Sequence, residues 1–257
     1  MTRIGIMSFA HMHAYSYAAS VNAVEDAELV AIWDDDPKRG RNAAKQFGAR
    51  FIADQEKFLA SGLDGVIVCS ENIYHRPMVE AAAKAGLGVL CEKPLATTID
   101  DATAMIAACD RADVILGTAF PCRFIDGLQT MKRRFDAGEV GRLYAGACTN
   151  NGQFPGGWFA DPKLSGGGAV MDHTVHVSDA LRWITSEEIV KVYCEKTRAF
   201  QTETKADDLG SIHFELEGGA VISHVASWNR AKSFPTWGDV TIELAGSKGV
   251  LYVDAFR

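Results

Sequence analysis

The sequence predicts two units in series. The first is an α/β domain with a doubly wound parallel sheet, and the second an α+β domain with an open, mostly antiparallel sheet. Three observations carry this reading. Up to about residue 120, short apolar runs alternate with helices of ten or more residues, the rhythm of βαβ units. One of those runs, Ala27–Trp33 (AELVAIW), reads as a strand buried on both faces. Beyond that point, strands succeed one another through tight turns such as Glu217-Gly218-Gly219, the mark of antiparallel neighbours.

Each element follows in order. Ile4–Met7 is a strand, Ala14–Val24 a helix and Ala27–Trp33 a second strand. Pro37–Phe47 is a helix with Pro37 in its first turn and Gly48 just past its end, the expected asymmetry of helix termini. Gly65–Cys69 is a third strand, Arg76–Ala85 a helix closed by Gly86, and Gly88–Cys91 a fourth strand. Thr98–Ala112 is a helix opened by a Thr/Asp cap region, and Val114–Thr118 is the fifth strand. Asp126–Ala137 is a helix ending at Gly138, Leu143–Cys148 a strand, and Ala169–Trp183 a helix behind Gly166-Gly167-Gly168. Val190–Thr197, Gly210–Leu216, Ala220–Trp228, Val240–Leu244 and Val250–Val253 complete the strands, the last two divided by Gly246-Ser247-Lys248-Gly249. The domains are therefore residues 1–120 and 121–257.

Composition narrows the function. The chain has 257 residues, with 26 Lys+Arg against 33 Asp+Glu, a net charge of −7 and no run of basic residues. Nucleic acid is thus not an expected partner. The 6 cysteines include no C-x-x-C pair and most sit in apolar runs, so free thiols in a reducing, cytoplasmic setting are expected. No apolar run reaches the roughly 18 residues of a membrane span, and the chain opens directly into a strand without a leader pattern.

The motifs that carry chemistry lie where strands open into loops, because ligands collect at the carboxyl ends of strands in open α/β sheets. Glu92-Lys93-Pro94 follows the fourth strand. A lysine there can bond a substrate hydroxyl, and Pro94 pushes it toward an extended backbone. A dinucleotide fold also needs a tight turn after its first strand, where backbone amides and a helix N-terminus meet a pyrophosphate. Here the glycine positions of that Rossmann-type loop carry Ser8, Ala10 and His13. Ser8 and Ala10 are small enough to admit a pyrophosphate. The second strand ends in Asp34-Asp35-Asp36. Asp34 stands at about the 20-residue spacing of the acid that binds the ribose hydroxyls, which favours NAD and leaves NADP possible through Lys38 and Arg39. One or two of the three aspartates serve as loop and helix-cap residues ahead of Pro37.

Asp172 and His176 are spaced i, i+4 on the helix behind the glycine run, so they share a face. An imidazole suits a general base that removes a hydroxyl proton, and a nearby ammonium such as Lys93 would stabilise the oxygen as it becomes negative. His173 faces elsewhere and reads as structural. His213 and His224 read as half-buried strand residues. Arg123 reads as a salt-bridge residue, and Trp158-Phe159 as either a pocket wall or anchors of an ordinary loop.

With these residues on the page, the chain resembles the Gfo/Idh/MocA oxidoreductases. The matching pieces are Trp33-Asp34-Asp35-Asp36-Pro37, Ser70-Glu71-Asn72-Ile73-Tyr74-His75, Cys91-Glu92-Lys93-Pro94-Leu95, and the segment from Gly166 to His176. The resemblance implies a hydride transfer between NAD(P) and a secondary alcohol of a sugar, cyclitol or polyol. It puts Lys93, Asp172 and His176 at the substrate, and Ser70, Asn72, His75 and Glu92 around the cofactor. It also implies a homodimer or homotetramer built on the second domain's sheet. Members of that family run on past Arg257, so the chain reads as a compact or truncated member.

Two other readings stay open from the residues alone. His11-x-His13 after the first strand is metal-site spacing, which would suit a metal-dependent hydrolase with Asp172, His173 and His176 as further ligands. The degraded glycine loop would also suit a dinucleotide-binding sensor without catalysis.

Overall fold

The computed structural model describes residues 1–201 and 203–256 and divides into two compact units, Met1–Ala119 and Phe120–Arg257. Arg257, on which the reading of a compact or truncated member turned, lies outside the described residues.

The first unit alternates strand and helix as the sequence predicts: β1 (Thr2–Met7), α1 (His13–Ala23), β2 (Ala27–Trp33), α2 (Pro37–Phe47), β3 (Arg50–Phe51), α3 (Gln55–Leu59), β4 (Gly65–Val68), α4 (His75–Lys84), β5 (Gly88–Cys91), α5 (Ile99–Ala112) and β6 (Leu116–Thr118). The six strands pair in the order β3-β2-β1-β4-β5-β6, all parallel. Sequence order reverses between β1 and β4, which is the switch point where such sheets bind ligands. β2 is buried from Leu29 to Ile32 because helices cover both faces. The helix ends are set by side chains. Asp36 accepts from the amides of Lys38 and Arg39 to cap α2, and Gly48 closes it in the left-handed conformation. Thr98 caps α5 through the Asp101 amide.

The strand β3 and the helix α3 are absent from the sequence reading. Two residues and five residues are too few to show a period. The last strand of this sheet begins at Leu116 rather than Val114, because Asp113 takes the left-handed conformation that ends α5.

The second unit contains α6 (Asp126–Asp136), β7 (Leu143–Gln153), α7 (Pro162–Ser165), α8 (Ala169–Thr185), β8 (Ile189–Thr197), β9 (Leu209–Leu216), β10 (Val221–Arg230), β11 (Gly238–Gly246) and β12 (Val250–Asp254). Its sheet runs β12-β11-β7-β10-β9-β8. All pairings are antiparallel except β7 with β10, which is parallel. The period-2 alternation sends Ile212, Phe214, Leu216, Ile222, Leu244 and Ile242 to one face, where they pack with Leu181, Ile184 and Val177 of α8 and Leu128 and Met131 of α6. The opposite face carries Ala145, Ala147 and Thr149 on β7, Val221, Ser223 and Val225 on β10, and Val250 and Tyr252 on β12, by their register. Val221, Val225, Val250 and Tyr252 are exposed there. β7 runs on to Gln153, past the Cys148 limit read from the sequence.

Candidate functional site

In the first unit, the loops after β1, β2, β4 and β5 bring together most of the residues singled out in the sequence. Ser8 adopts φ +72°, the left-handed backbone normally left to glycine. Its hydroxyl accepts from the Ala10 amide at 3.2 Å and from Arg39 Nη2 at 3.3 Å. Ser8 thus takes a backbone conformation that favours glycine. The amides of Phe9, His11 and His13 are all engaged within the protein, by Asp34 Oδ2 (2.8 Å), the Cys69 carbonyl (2.9 Å) and His11 Nδ1 (3.1 Å).

Asp34 is buried. It accepts from the amides of Phe9 and Asp36 and from Arg39 Nε and Nη2, the last at 2.7 Å from Oδ1. Burial pushes the Asp34 carboxyl up, while the Arg39 fork and the amides of Asp36 and Phe9 pull it back down. Sequence reasoning gave Asp34 a ribose role and Arg39 only a softening one. In the structure Arg39 is Asp34's main partner, and it also reaches Asp35 at 2.8 Å.

Glu92 is fully buried. Its Oε1 accepts from the Tyr17 hydroxyl at 2.5 Å and from His13 Nδ1–H at 2.8 Å, and its Oε2 accepts from the Lys93 amide at 2.8 Å. Burial alone would raise this carboxyl. The His13 hydrogen bond, the nearby His11 imidazole N–H and the charge of Lys93 outweigh it and hold Glu92 well below the usual carboxylate range. Lys93 is 4% exposed, and its bond to Pro94 is cis. His75 is buried and donates from Nδ1 to the Pro94 carbonyl at 3.0 Å, tying α4 to the loop behind Lys93. Burial lowers the His75 imidazole and keeps it neutral. Ser70 and Asn72 are buried just after β4, with Ser70 Oγ donating to the Glu71 carbonyl at 3.0 Å.

The histidine pair of the metal reading gathers with Glu92: ligand atoms of His11, His13 and Glu92 lie within 4.8 Å of one another. Their hydrogen bonds define a different arrangement. His11 Nδ1 accepts an amide proton, so its ring proton sits on Nε2, the nitrogen facing Glu92 at 3.9 Å. Both Glu92 oxygens already accept from donors. The trio is filled by protons, and an ion would have to displace several hydrogen bonds to enter.

In the second unit, α8 is started by close backbone approach. A Cβ on Gly168 would lie 2.0 Å from the Asp207 carbonyl oxygen, which accepts the Ala169 amide, while Asp207 Oδ2 accepts the Val170 amide. This accounts for the glycine at the end of the run. Asp172 Oδ2 accepts from Trp228 Nε1–H at 3.3 Å and lies 3.3 Å from His173 Nε2. His176 Nδ1 lies 3.9 Å from Cys122 Sγ. Trp228 belongs to an aromatic cluster with Phe154, Trp158 and Phe159, in which Trp158 stacks on Phe159 at 3.8 Å. Arg123, ahead of α6, pairs with Asp179 of α8, as expected of a structural bridge.

Two histidines differ from their sequence reading. His213 is exposed and His224 is fully buried, because the two strands place them on opposite faces rather than at a half-buried edge. Tyr17, Trp228 and Cys122 were not foreseen as partners of the candidate residues. Each meets its partner only through tertiary folding, and no local pattern signals it.

The comparisons with known proteins agree with this architecture. Residues 3–120 match the model of an oxidoreductase family with an NAD-binding Rossmann fold, and residues 128–252 match a GFO/IDH/MocA C-terminal domain. The chain is 30% identical over 265 residues to myo-inositol 2-dehydrogenase of Thermotoga maritima, covering 99% of this chain and 76% of that protein. It is 29% identical to D-apiose dehydrogenase of Paraburkholderia graminis, covering 98% of this chain but 66% of the relative, just under two thirds of its length. Among solved structures, WlbA dehydrogenase of Bordetella pertussis, in complex with NADH and UDP-GlcNAcA, superposes with a TM-score of 0.88 at 26% identity, over 98% of this chain and 73% of that one. A parallel sheet with its buried Glu92–Lys93 corner, a second sheet backed by the Asp172–His176 helix, and family matches over both units lead to one assignment: the chain belongs to the Gfo/Idh/MocA oxidoreductases.

Proposed function

We propose that the chain is an NAD-dependent dehydrogenase or reductase acting on a secondary alcohol or ketone of a sugar, cyclitol or related polyol. Bound NAD supplies the hydride acceptor. The observation that carries the reading is Lys93, an ammonium 4% exposed at the carboxyl end of a strand of the parallel sheet, with its backbone amide pinned by Glu92. His176 takes the hydroxyl proton at Nε2, its Nδ1 being turned toward Cys122. Asp172, fixed by the Trp228 indole, accepts a hydrogen bond from a substrate hydroxyl. Lys93 stabilises the oxygen as its proton leaves.

On the cofactor side, Ser8, Ala10 and His13 line the turn and the start of α1, where the macrodipole favours a pyrophosphate. His13 adds an imidazole where glycine is usual. Ser70, Asn72, His75 and Glu92 shape the nicotinamide side. Asp34 serves the ribose, and Asp35 and Glu71 join it in offsetting the charge of Arg39, so NAD binds more tightly than NADP. Titration with NAD(H) and NADP(H), followed by an inositol and aldose panel read at the nicotinamide absorbance, tests this. Tighter NADP(H) binding overturns the cofactor choice, and no turnover across the panel overturns the substrate class.

The uncovered face of the second sheet fits a second copy of this chain, because Ala145, Ala147, Val221 and Val225 on its two central strands are apolar and small, with Glu243 beside them between Ala147 and Tyr252. Light scattering on the protein and on Val225→Glu tests this, a monomer in both being the contrary result. The cysteines are free and five are buried, in keeping with a reducing, cytoplasmic setting.

A further inference from the structure

We propose that His173, the residue beside Asp172, is a protonated positioning residue that holds Asp172 as a carboxylate and offsets its charge for His176. The inference rests on the dehydrogenase reading for its consequence, but its geometry stands alone. His173 Nδ1 lies 2.9 Å from the Asn150 carbonyl oxygen and His173 Nε2 lies 3.3 Å from Asp172 Oδ2. A carbonyl can only accept, so Nδ1 carries a proton. Asp172 Oδ2 faces Nε2 at ion-pair distance, and a carboxylate there favours a proton on Nε2. Trp228 Nε1–H already donates to the same Oδ2, which favours the carboxylate. The ring is therefore an imidazolium bridging Asn150 on β7 to Asp172 on α8.

The surroundings are built for that ring. A Cβ on Gly152 would stand 2.9 Å from His173 Cε1 and 3.2 Å from Nε2, so only glycine admits the imidazole there. His173 is 6% exposed, and a buried cation must be paired. Several titratable groups bear on it. Asp172 and His176 share its helix. His224 on β10 is neutral, since burial, aided by the charge of His173, pushes it down to about 4. Asp239 on β11 bonds the neighbouring Asn151 and is balanced by Arg230. Asp172 Oδ2 is the carboxylate oxygen that stands 3.3 Å from His173 Nε2.

The consequence falls on His176, one turn along. A bare carboxylate in its neighbourhood would favour the imidazolium and remove the base. Paired with His173, Asp172 keeps its accepting oxygens while its charge is offset, so His176 remains neutral at working pH.

Two measurements on the full chain test this. In ¹⁵N-histidine-labelled protein, with His173 assigned by through-bond correlation to its own backbone, both ring nitrogens should be protonated at about pH 7.5. A neutral tautomer there overturns the proposal whether or not any polyol is turned over. In the second, NAD and myo-inositol are the probes for His173→Asn, which keeps an N–H near the Nδ1 position, and His173→Gln, which keeps one near Nε2. The acid limb of kcat/KM should move up by about one pH unit in both, a loss of about tenfold at neutral pH that recovers at about pH 9. A loss uniform across pH, or full rescue by Gln, would show that His173 only fills space. If the wild type oxidises no polyol, the dehydrogenase reading fails and the nitrogen spectrum still decides the charge of His173.

Discussion

His13 Nδ1 and Glu92 Oε1 stand 2.8 Å apart, linking the first turn of α1 to the corner that presents Lys93. Glu92 accepts from three donors and has no contact with bulk water. Glu92→Gln places an amide donor among those donors. It should cost about 3 kcal/mol of stability, read by urea unfolding. The pH dependence follows from the sign of the shift. The Glu92 carboxyl is depressed in the folded state, so its stabilisation is complete above about pH 4.3 and is lost only as pH falls toward its folded value. The wild type should therefore keep this contribution at pH 5, and the wild-type and Gln curves should converge only in strong acid.

His224 acts in the opposite sense. Burial lowers its imidazole to about 4, so between pH 4 and 6.5 the unfolded chain binds the extra proton. Stability is complete above about pH 6.5 and falls as pH drops toward 4, by about 2 kcal/mol at pH 5. His224→Leu should remove that slope in chemical unfolding. An unchanged slope would assign it to other groups.

Ser8 trades strain for hydrogen bonds. The left-handed backbone costs a non-glycine residue about 1 kcal/mol, while its hydroxyl accepts from the Ala10 amide and Arg39. Ser8→Ala keeps the strain and loses both bonds, whereas Ser8→Gly loses the bonds and removes the strain. Thermal melts should therefore rank Ser8→Gly above Ser8→Ala by about 1 kcal/mol.

Lys93→Ala and His176→Ala should each lower turnover by about 10²–10⁴ while leaving NAD affinity within a few-fold, measured by stopped-flow and fluorescence titration. Near-normal rates in both would remove these residues from the chemistry and revive the reading of a dinucleotide-binding sensor.

The first unit was largely legible because buried parallel strands and capped helices write their periods into the chain, as Ala27–Trp33 and Pro37–Phe47 do. β7 was legible only to Cys148. Beyond it, Asn150, Asn151 and Gly152 have poor strand propensity, yet they continue the strand and are held by the Asp239 carbonyl, by Asp239 Oδ1 and, through Asn151 Oδ1, by the Ser227 hydroxyl. The candidate residues themselves were visible as Glu-Lys-Pro and Asp-x-x-x-His. Their supports were not, since Tyr17 lies 75 residues from Glu92 and Trp228 lies 56 from Asp172.

The placement of β7 sets an order of assembly. Its residue Ala145 pairs with Val221 on one side and with Ala245 on the other, both far downstream. A growing chain therefore carries Leu143–Gln153 with both edges unsatisfied until β10 and β11 have emerged, and non-local closure of this kind is slow. Kinetic traps and chaperone dependence of this protein should arise in the second unit, with β7 as the segment that waits.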